Sequence, residues 1–319
     1  MKYVFIINPT SGKRLYQEIV AKKIRQYFEG KDDEYIIHYT TCRGDAKAYS
    51  RSLAISGENV RIYACGGEGT SFEVLNGVHG YDNVSLGVIP CGSANDFITY
   101  FADKELFLDI ASQVDGETIN LDIIKAGDFY ALNSCSVGLD AMSADNMTKF
   151  KKWPLVTGSM AYVLGVVYTL FGKISNNLKI KIDNGLKTIN EKILLAVVAN
   201  APYYGGGFYP TPGAMPYDGK LNYSVITPVS RPRIVSLLKK YRLGTHINYD
   251  FCRHGECRKI SISAEKPLPF NMDGEIVYAK DINFEIIPSA CKFILPKTVY
   301  SVWNERANEF KKTVKSTMS

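Results

Sequence analysis

The chain of 319 residues is 46% hydrophobic and 22% charged, a balance that excludes a disordered chain and a polytopic membrane protein and leaves room for about two domains. Lys and Arg exceed Asp and Glu by 38 − 32, a formal charge of +6, which suits an anionic ligand or membrane surface but is too small an excess to demand nucleic acid. The seven cysteines are odd in number and scattered, and with no secretory leader ahead of them they are expected as reduced thiols of a cytoplasmic protein.

In chain order, residues 3–8 form a short strand-like run closed by Asn8-Pro9, and 15–28 place Leu15, Ile19, Val20, Ile24, Tyr27 and Phe28 at helical spacing. The alternation continues with a strand at 35–39, a helix at 45–55, a strand at 60–65, a helix at 71–77, a strand at 84–89 and a helix from about Asn95. Strands separated by short helices predict right-handed crossovers and a parallel sheet flanked by helices, with ligands at the carboxyl ends of the strands.

After about 118 the texture becomes β-rich and largely antiparallel. Strand-like runs fall at 119–125, 129–135, 178–182, 193–199, 221–227, 259–264, 283–287 and 292–295. Helical patches interrupt them at 159–170 and 231–241, and a polar helix at 301–312 closes the chain. The expected architecture is an α/β N-terminal domain, 1–118, a β-rich antiparallel C-terminal domain, 119–300, and a helix and tail, 301–319, with the site between the two domains. The apolar run 156–172 contains Thr157, Gly158 and Ser159 and falls short of the roughly 18 residues that span a bilayer.

Three glycine-containing loops stand at the carboxyl ends of predicted strands: Asn8-Pro9-Thr10-Ser11-Gly12, Gly66-Gly67-Glu68-Gly69-Thr70 and Pro90-Cys91-Gly92-Ser93-Ala94-Asn95-Asp96. Glycine lets backbone approach a phosphate, and the helix that follows turns its unpaired N–H groups to the same place. One such loop is an ordinary tight turn; three on one sheet edge point to a nucleotide phosphate pocket. Neither a Walker loop nor a GxGxxG fingerprint is present. A carboxylate in a phosphate loop repels the phosphate unless a cation intervenes, so Glu68 implies a divalent metal or its water shell.

These loops, followed by Glu73-Val74-x-Asn76-Gly77, Asn133, Val137-Gly138-Leu139-Asp140, Asn200, Tyr204-Gly205-Gly206-Gly207, Pro212-Gly213-Ala214, Asp218-Gly219-x-Leu221 and Asp273-Gly274-Glu275, resemble the diacylglycerol kinase catalytic domain family over nearly the whole chain. The resemblance implies ATP bound by Asn8, Pro9, Ser11, Gly12, Thr40, Gly66, Gly67, Gly69, Thr70, Glu73 and Ser93. It implies magnesium organised by Asp122 and Asp218 with the carbonyls of Met215 and Lys220. It also implies a catalytic set of Glu275, Asp273 and Glu68, in which Glu275 takes the proton of a lipid hydroxyl. Glu68 stands where the family usually has Asp, Ser93 where it has Thr, and Asn222 where many relatives carry a further Asp.

The implied reaction is ATP- and magnesium-dependent phosphorylation of a lipid, diacylglycerol first, by a protein peripheral to the membrane, with a homodimer left open and no nucleic-acid partner. Two alternatives stand: a kinase of a soluble acceptor such as NAD, and a nucleotide- or lipid-binding protein impaired by Glu68. Asp273-Gly274 also has the composition of a type I′ hairpin turn. Cys252-Arg253-His254-Gly255-Glu256-Cys257 offers two thiols and an imidazole but no second ligand pair, so a polar hairpin is expected there rather than zinc. Lys149-Phe150-Lys151-Lys152-Trp153-Pro154 and the apolar stretch to Phe171 fit either an interfacial element or a core helix with a basic flank.

Overall fold

The computed structural model describes residues 1–12, 14–92, 95–150 and 158–305. The chain divides into two compact units, Met1–Leu121 with Ala290–Ser319, and Asp122–Ser289.

The first unit runs β1 (Lys2–Ile7), α1 (Arg14–Phe28), β2 (Glu34–Tyr39), α2 (Asp45–Ile55), β3 (Val60–Gly66), α3 (Glu68–Val78), β4 (Val84–Pro90), α4 (Ile110–Val114) and the start of β5 (Glu117–Ala126). Its strands pair in parallel in the order β4-β3-β1-β2, with Ile7 level with both Tyr39 and Cys65. Val4, Phe5, Ile6 and Ile7 are all fully buried, because a central parallel strand is covered on both faces. Phe5, Ile7, Tyr63 and Cys65 pack with Val20, Ala21, Ile24 and Phe28 of α1, while α2 and α3 pack on each other and on β3. There Gly77 is required: a Cβ would meet the Lys47 carbonyl at 2.6 Å. The chain leaves β1 toward β2 and then returns past it to β3 and β4, so the strand order reverses between β1 and β3. In open parallel sheets that reversal leaves a crevice at the carboxyl edge, where ligands bind.

The second unit continues with β6 (Phe129–Ala131), β7 (Ser134–Gly138), α5 (Leu139–Phe150), α6 (Gly158–Phe171), β8 (Asn176–Ile182), β9 (Lys187–Ile193), β10 (Leu195–Ala199), β11 (Leu221–Ile226), α7 (Arg231–Arg242), β12 (Cys252–Cys257), β13 (Lys259–Met272) and β14 (Glu275–Leu295). Strands pair antiparallel in the order β12-β11-β10-β7-β13-β14, and the β8–β9 hairpin pairs with β13.

An α/β first part and a β-rich, mostly antiparallel second part are therefore what the chain forms. Details differ from the expectation. The helix expected from Asn95 is a pair of 3-10 turns, Asp96–Tyr100 and Lys104–Leu108, followed by α4, because Asn95 itself sits in the left-handed region, φ 55°. The run 259–264 extends to Met272 through an irregularity between Ser263 and Leu268, which accommodates Pro267. The runs 283–287 and 292–295 are one strand, with Ser289 at φ 52°. Its end pairs Phe293 with Leu86, so 290–295 group with the first unit rather than with 119–300. Residues 252–257 form one edge strand, not a hairpin, and both thiols are buried; among the described residues no His, Cys, Asp and Glu group could hold a metal by itself. Residues 297–305 are helical, and the rest of the helix expected at 301–312 lies outside the described residues, as do Lys151, Lys152, Trp153 and Pro154. No helix among the described residues is long and apolar enough to cross a membrane.

Candidate active site

The three glycine loops of the first unit bind one another at the β1/β3 reversal. Asn8 accepts the Thr10 N–H and hydroxyl through Oδ1 and donates through Nδ2 to Thr70 Oγ1 at 3.3 Å. The Ser11 N–H closes a turn on the Asn8 carbonyl, and Ser11 Oγ accepts the Gly67 N–H at 3.4 Å. Gly12 has φ +65°, and a Cβ there would collide with the Cys91 carbonyl oxygen. The Gly66 carbonyl accepts the N–H groups of Cys91 and Gly92 and the Asn95 side-chain amide at 3.1 Å. Asn95 Oδ1 accepts the Gly92 N–H in return. Asn95, absent from the residues assigned to ATP above, thus knits the third loop to the second; an Asn ahead of a helix-like run is the one signal that betrays a left-handed position.

Helix α3 starts three residues earlier than its apolar period predicts, at Glu68, with Gly67 as an N-cap that makes no side-chain capping bond. Its positive dipole end lies at the loop cluster, where an anion is favoured, and the Thr70 N–H closes the first turn on the Gly67 carbonyl at 3.1 Å. Gly69 and Thr70 lie in that first turn. Glu68 Oε1 accepts the Asp96 N–H at 3.1 Å, so the extra methylene relative to Asp reaches the third loop. Glu73 accepts the Gly44 N–H at 2.8 Å and positions the turn after β2. There the Thr40 N–H bonds the Ile7 carbonyl, and Asp45 gathers the Thr41 N–H and hydroxyl and His38 Nε2. The Thr41 N–H is the main cause of an Asp45 carboxyl held below its ordinary range. Pro9 is exposed beside this cluster. Ser93 lies outside the described residues.

In the second unit Asp273 and Gly274 close a two-residue hairpin with φ 46° and 88° and Met272 opposite Glu275, the type I′ geometry that Asp-Gly favours. Asp273 is buried, and its carboxylate accepts the N–H groups of Leu132 at 2.6 Å, Asn133 at 3.1 Å and Ser134 at 2.8 Å. These bonds interrupt the run expected at 129–135, which splits into β6 and β7. Burial pushes the Asp273 carboxyl up to about 6 against those donors. Asp273 thus ties the turn to residues 132–134, and Glu275 follows it, half-buried at the head of β14.

Asp122, buried on β5, accepts the Gly219 N–H at 2.7 Å and the Ser289 N–H at 2.8 Å, and its own N–H bonds the Pro216 carbonyl. It holds the 216–219 loop that bears Asp218. Burial raises the Asp218 carboxyl, the Lys220 N–H and ammonium oppose the rise, and Glu256 and Asp122 add smaller contributions to it. Met215 is half-buried and Lys220 exposed on either side, and the Lys220 ammonium is drawn to Glu256 at 2.5 Å. One carboxylate with backbone carbonyls and water is an oxygen-only donor set of the kind magnesium takes.

Residues 2–126 match the diacylglycerol kinase catalytic domain, and residues 133–295 match the YegS C-terminal NAD kinase beta sandwich-like domain. A Staphylococcus aureus (strain JH9) protein named "Putative lipid kinase SaurJH9_0749" is 28% identical over 239 residues, 73% of this chain and 76% of its own. A second from strain MRSA252, "Putative lipid kinase SAR0780", is 28% identical over 255 residues, 78% and 79%. Among solved structures, that of "a putative diacylglycerol kinase from Bacillus anthracis str. Sterne" superposes with TM-score 0.75 at 22% identity over 93% of this chain and 96% of that one. Another from the same strain, titled as a diacylglycerol kinase, gives 0.66 at 20% identity over 93% and 98%. With both halves matched in order, the chain carries the diacylglycerol kinase catalytic domain at 2–126 and belongs, by a match over half of its length, to the family of the YegS C-terminal NAD kinase beta sandwich-like domain.

Proposed function

We propose that this protein is a lipid kinase that transfers the γ-phosphoryl group of ATP, with magnesium, to the hydroxyl of diacylglycerol, giving phosphatidic acid. The observation that carries the nucleotide half is the convergence of three loops at the strand-order reversal, fastened by Asn8, Ser11, Gly66 and Asn95. The lipid acceptor rests on family membership and on the names of the Staphylococcus aureus relatives.

In this proposal the three glycine loops and the start of α3 bind and orient the triphosphate, with Thr70 and Ser93 among the residues assigned to it. Magnesium near Asp218, with the Met215 and Lys220 carbonyls, would neutralise charge that develops on the phosphoryl oxygens. Glu275 accepts the proton of the attacking alcohol at its carboxylate. Asp273 holds the hairpin that sets Glu275 in place, Asp122 holds the Asp218 loop, and Glu68 ties the second loop to Asp96. The assembly acts at the membrane periphery, where its substrate resides.

The test is incubation with γ-labelled ATP, magnesium and micelles carrying diacylglycerol, sphingosine or undecaprenol, or with soluble NAD. Label in the organic phase with diacylglycerol supports the proposal. Label confined to the aqueous NAD product would replace the lipid with a soluble acceptor, and no transfer to any acceptor would make the protein a binder.

A further inference from the structure

Helix α7 combines features that a helix facing only water or only protein does not need. Its cations Arg231, Arg233, Lys239, Lys240 and Arg242 have no acidic residue among them or anywhere from 219 to 249. Among the described residues none of the five is paired with a carboxylate. Only Ile234 of the helix is buried, whereas Val235, Leu238 and, just past its end, Leu243 are 58%, 43% and 60% exposed. Val235 and Leu238 lie three residues apart, on one stripe of the helix.

The end of α6 lies beside the start of α7. Arg231 donates through Nε to the Leu170 carbonyl at 2.6 Å and through Nη2 to the Gly172 carbonyl at 2.9 Å. This fastening joins the end of α6, where Val167, Tyr168 and Phe171 are 44%, 59% and 85% exposed, to the first turn of α7. Tyr168 is braced edge-on by Phe150, with ring centroids 5.8 Å apart. The two helices thus expose apolar residues among cations that, in the described residues, have no carboxylate partner, while Arg233 lies over the Phe251 ring and Lys240 bonds the Tyr249 hydroxyl.

We infer that the α7 helix and the end of α6 form the surface by which this protein docks on an anionic bilayer. Apolar side chains enter the interfacial zone while Lys and Arg meet anionic headgroups, the arrangement expected of an amphipathic helix lying in a membrane surface. A second copy of the chain fits less well, because it would bring the same cations face to face without acidic partners. The inference deepens the lipid-kinase proposal and rests on it for the need to meet a bilayer; the contact itself requires no turnover.

Vesicle flotation without ATP tests it. The full chain should bind vesicles of phosphatidylcholine and phosphatidylglycerol in equal parts and not vesicles of phosphatidylcholine alone. Removing Lys239 and Arg242 together (both to Ala) should weaken binding about 25-fold, at about fivefold per cation, and Phe171→Ala should weaken it independently. Both variants should keep the far-ultraviolet circular dichroism and the detergent-micelle turnover of the parent, since none of these residues is placed at the site. Absence of vesicle binding by the parent, or binding by the variants equal to the parent's, would overturn the inference. So would a parent dimer that the same variants convert to monomer in sedimentation. Loss of micelle turnover in the parent with vesicle binding retained would count against the kinase proposal and leave the docking surface standing.

Discussion

Gly92 and Gly67 meet backbone to backbone: a Cβ built on Gly92 would lie 2.6 Å from the Gly67 Cα, whereas one built on Gly67 would lie 3.7 Å from the Gly92 Cα. The contact is therefore intolerant on one side only. Gly92→Ala must push the second and third loops apart. A displacement near 1 Å costs about a hundredfold in transfer rate, with weaker nucleotide binding by calorimetry. Gly67→Ala should leave the two loops at their present separation, its Cβ being in ordinary van der Waals contact with Gly92. Equal effects of the two substitutions would show that the loops are not held by this contact.

Asp273→Ala strips acceptors from three buried N–H groups and leaves Ala at a positive φ. Together these should lower unfolding free energy by about 3 kcal/mol or more in urea titrations. Acid adds a signed test. The Asp273 carboxyl is raised to about 6 in the folded protein, against about 3.9 unfolded. Between these values the folded state binds the proton and the unfolded state does not, so this group's contribution rises as pH falls from 7 to 4. Asp273→Asn lacks that gain, and its deficit against the parent should grow by about 2–3 kcal/mol over the same range. A deficit that shrinks on acidification would contradict the assignment.

Glu68 reaches the Asp96 N–H at 3.1 Å, and Asp at this position would draw the carboxylate back by roughly 1–1.5 Å. Glu68→Asp should lose that bond at a cost of about 1 kcal/mol, half-exposure keeping the figure low, which shifts the melting temperature by about 2–4 °C. An unchanged melting temperature would mean that the shorter side chain finds an equivalent partner.

Glu275→Gln keeps the size and the hairpin but removes the proton acceptor. Turnover should fall by about 10²–10⁴-fold with nucleotide affinity and melting temperature near those of the parent. Turnover at the parent's rate would remove Glu275 from the base role.

The first unit was legible because β1, β3 and β4 are buried on both faces and read as apolar runs, and because α1 repeats its apolar residues at helical spacing. The three loops were legible for the same reason: glycines stand where those runs stop. What escaped is what depends on long-range bonds. Asp273 looks like a turn residue, and only the fold brings it to the N–H groups of 132–134. Asp122 and Gly219 are likewise distant in sequence and adjacent in space. The long strands β13 and β14 were broken in the sequence by Pro267 and Ser289, local features that the irregularity in β13 and the positive φ at Ser289 absorb. The exposed stripe on α7 was visible only as a helical patch, since periodicity does not say which apolar residues remain uncovered.

The central claim is that the loops at the β1/β3 reversal hold the triphosphate of ATP, and hydrogen exchange with and without magnesium and ATP tests it most directly. Amides in 8–12, 66–70 and 91–96 should be protected on addition of both, less so in Gly92→Ala, and not by adenosine. Protection confined to other segments, with these unchanged at saturating nucleotide, would contradict the account.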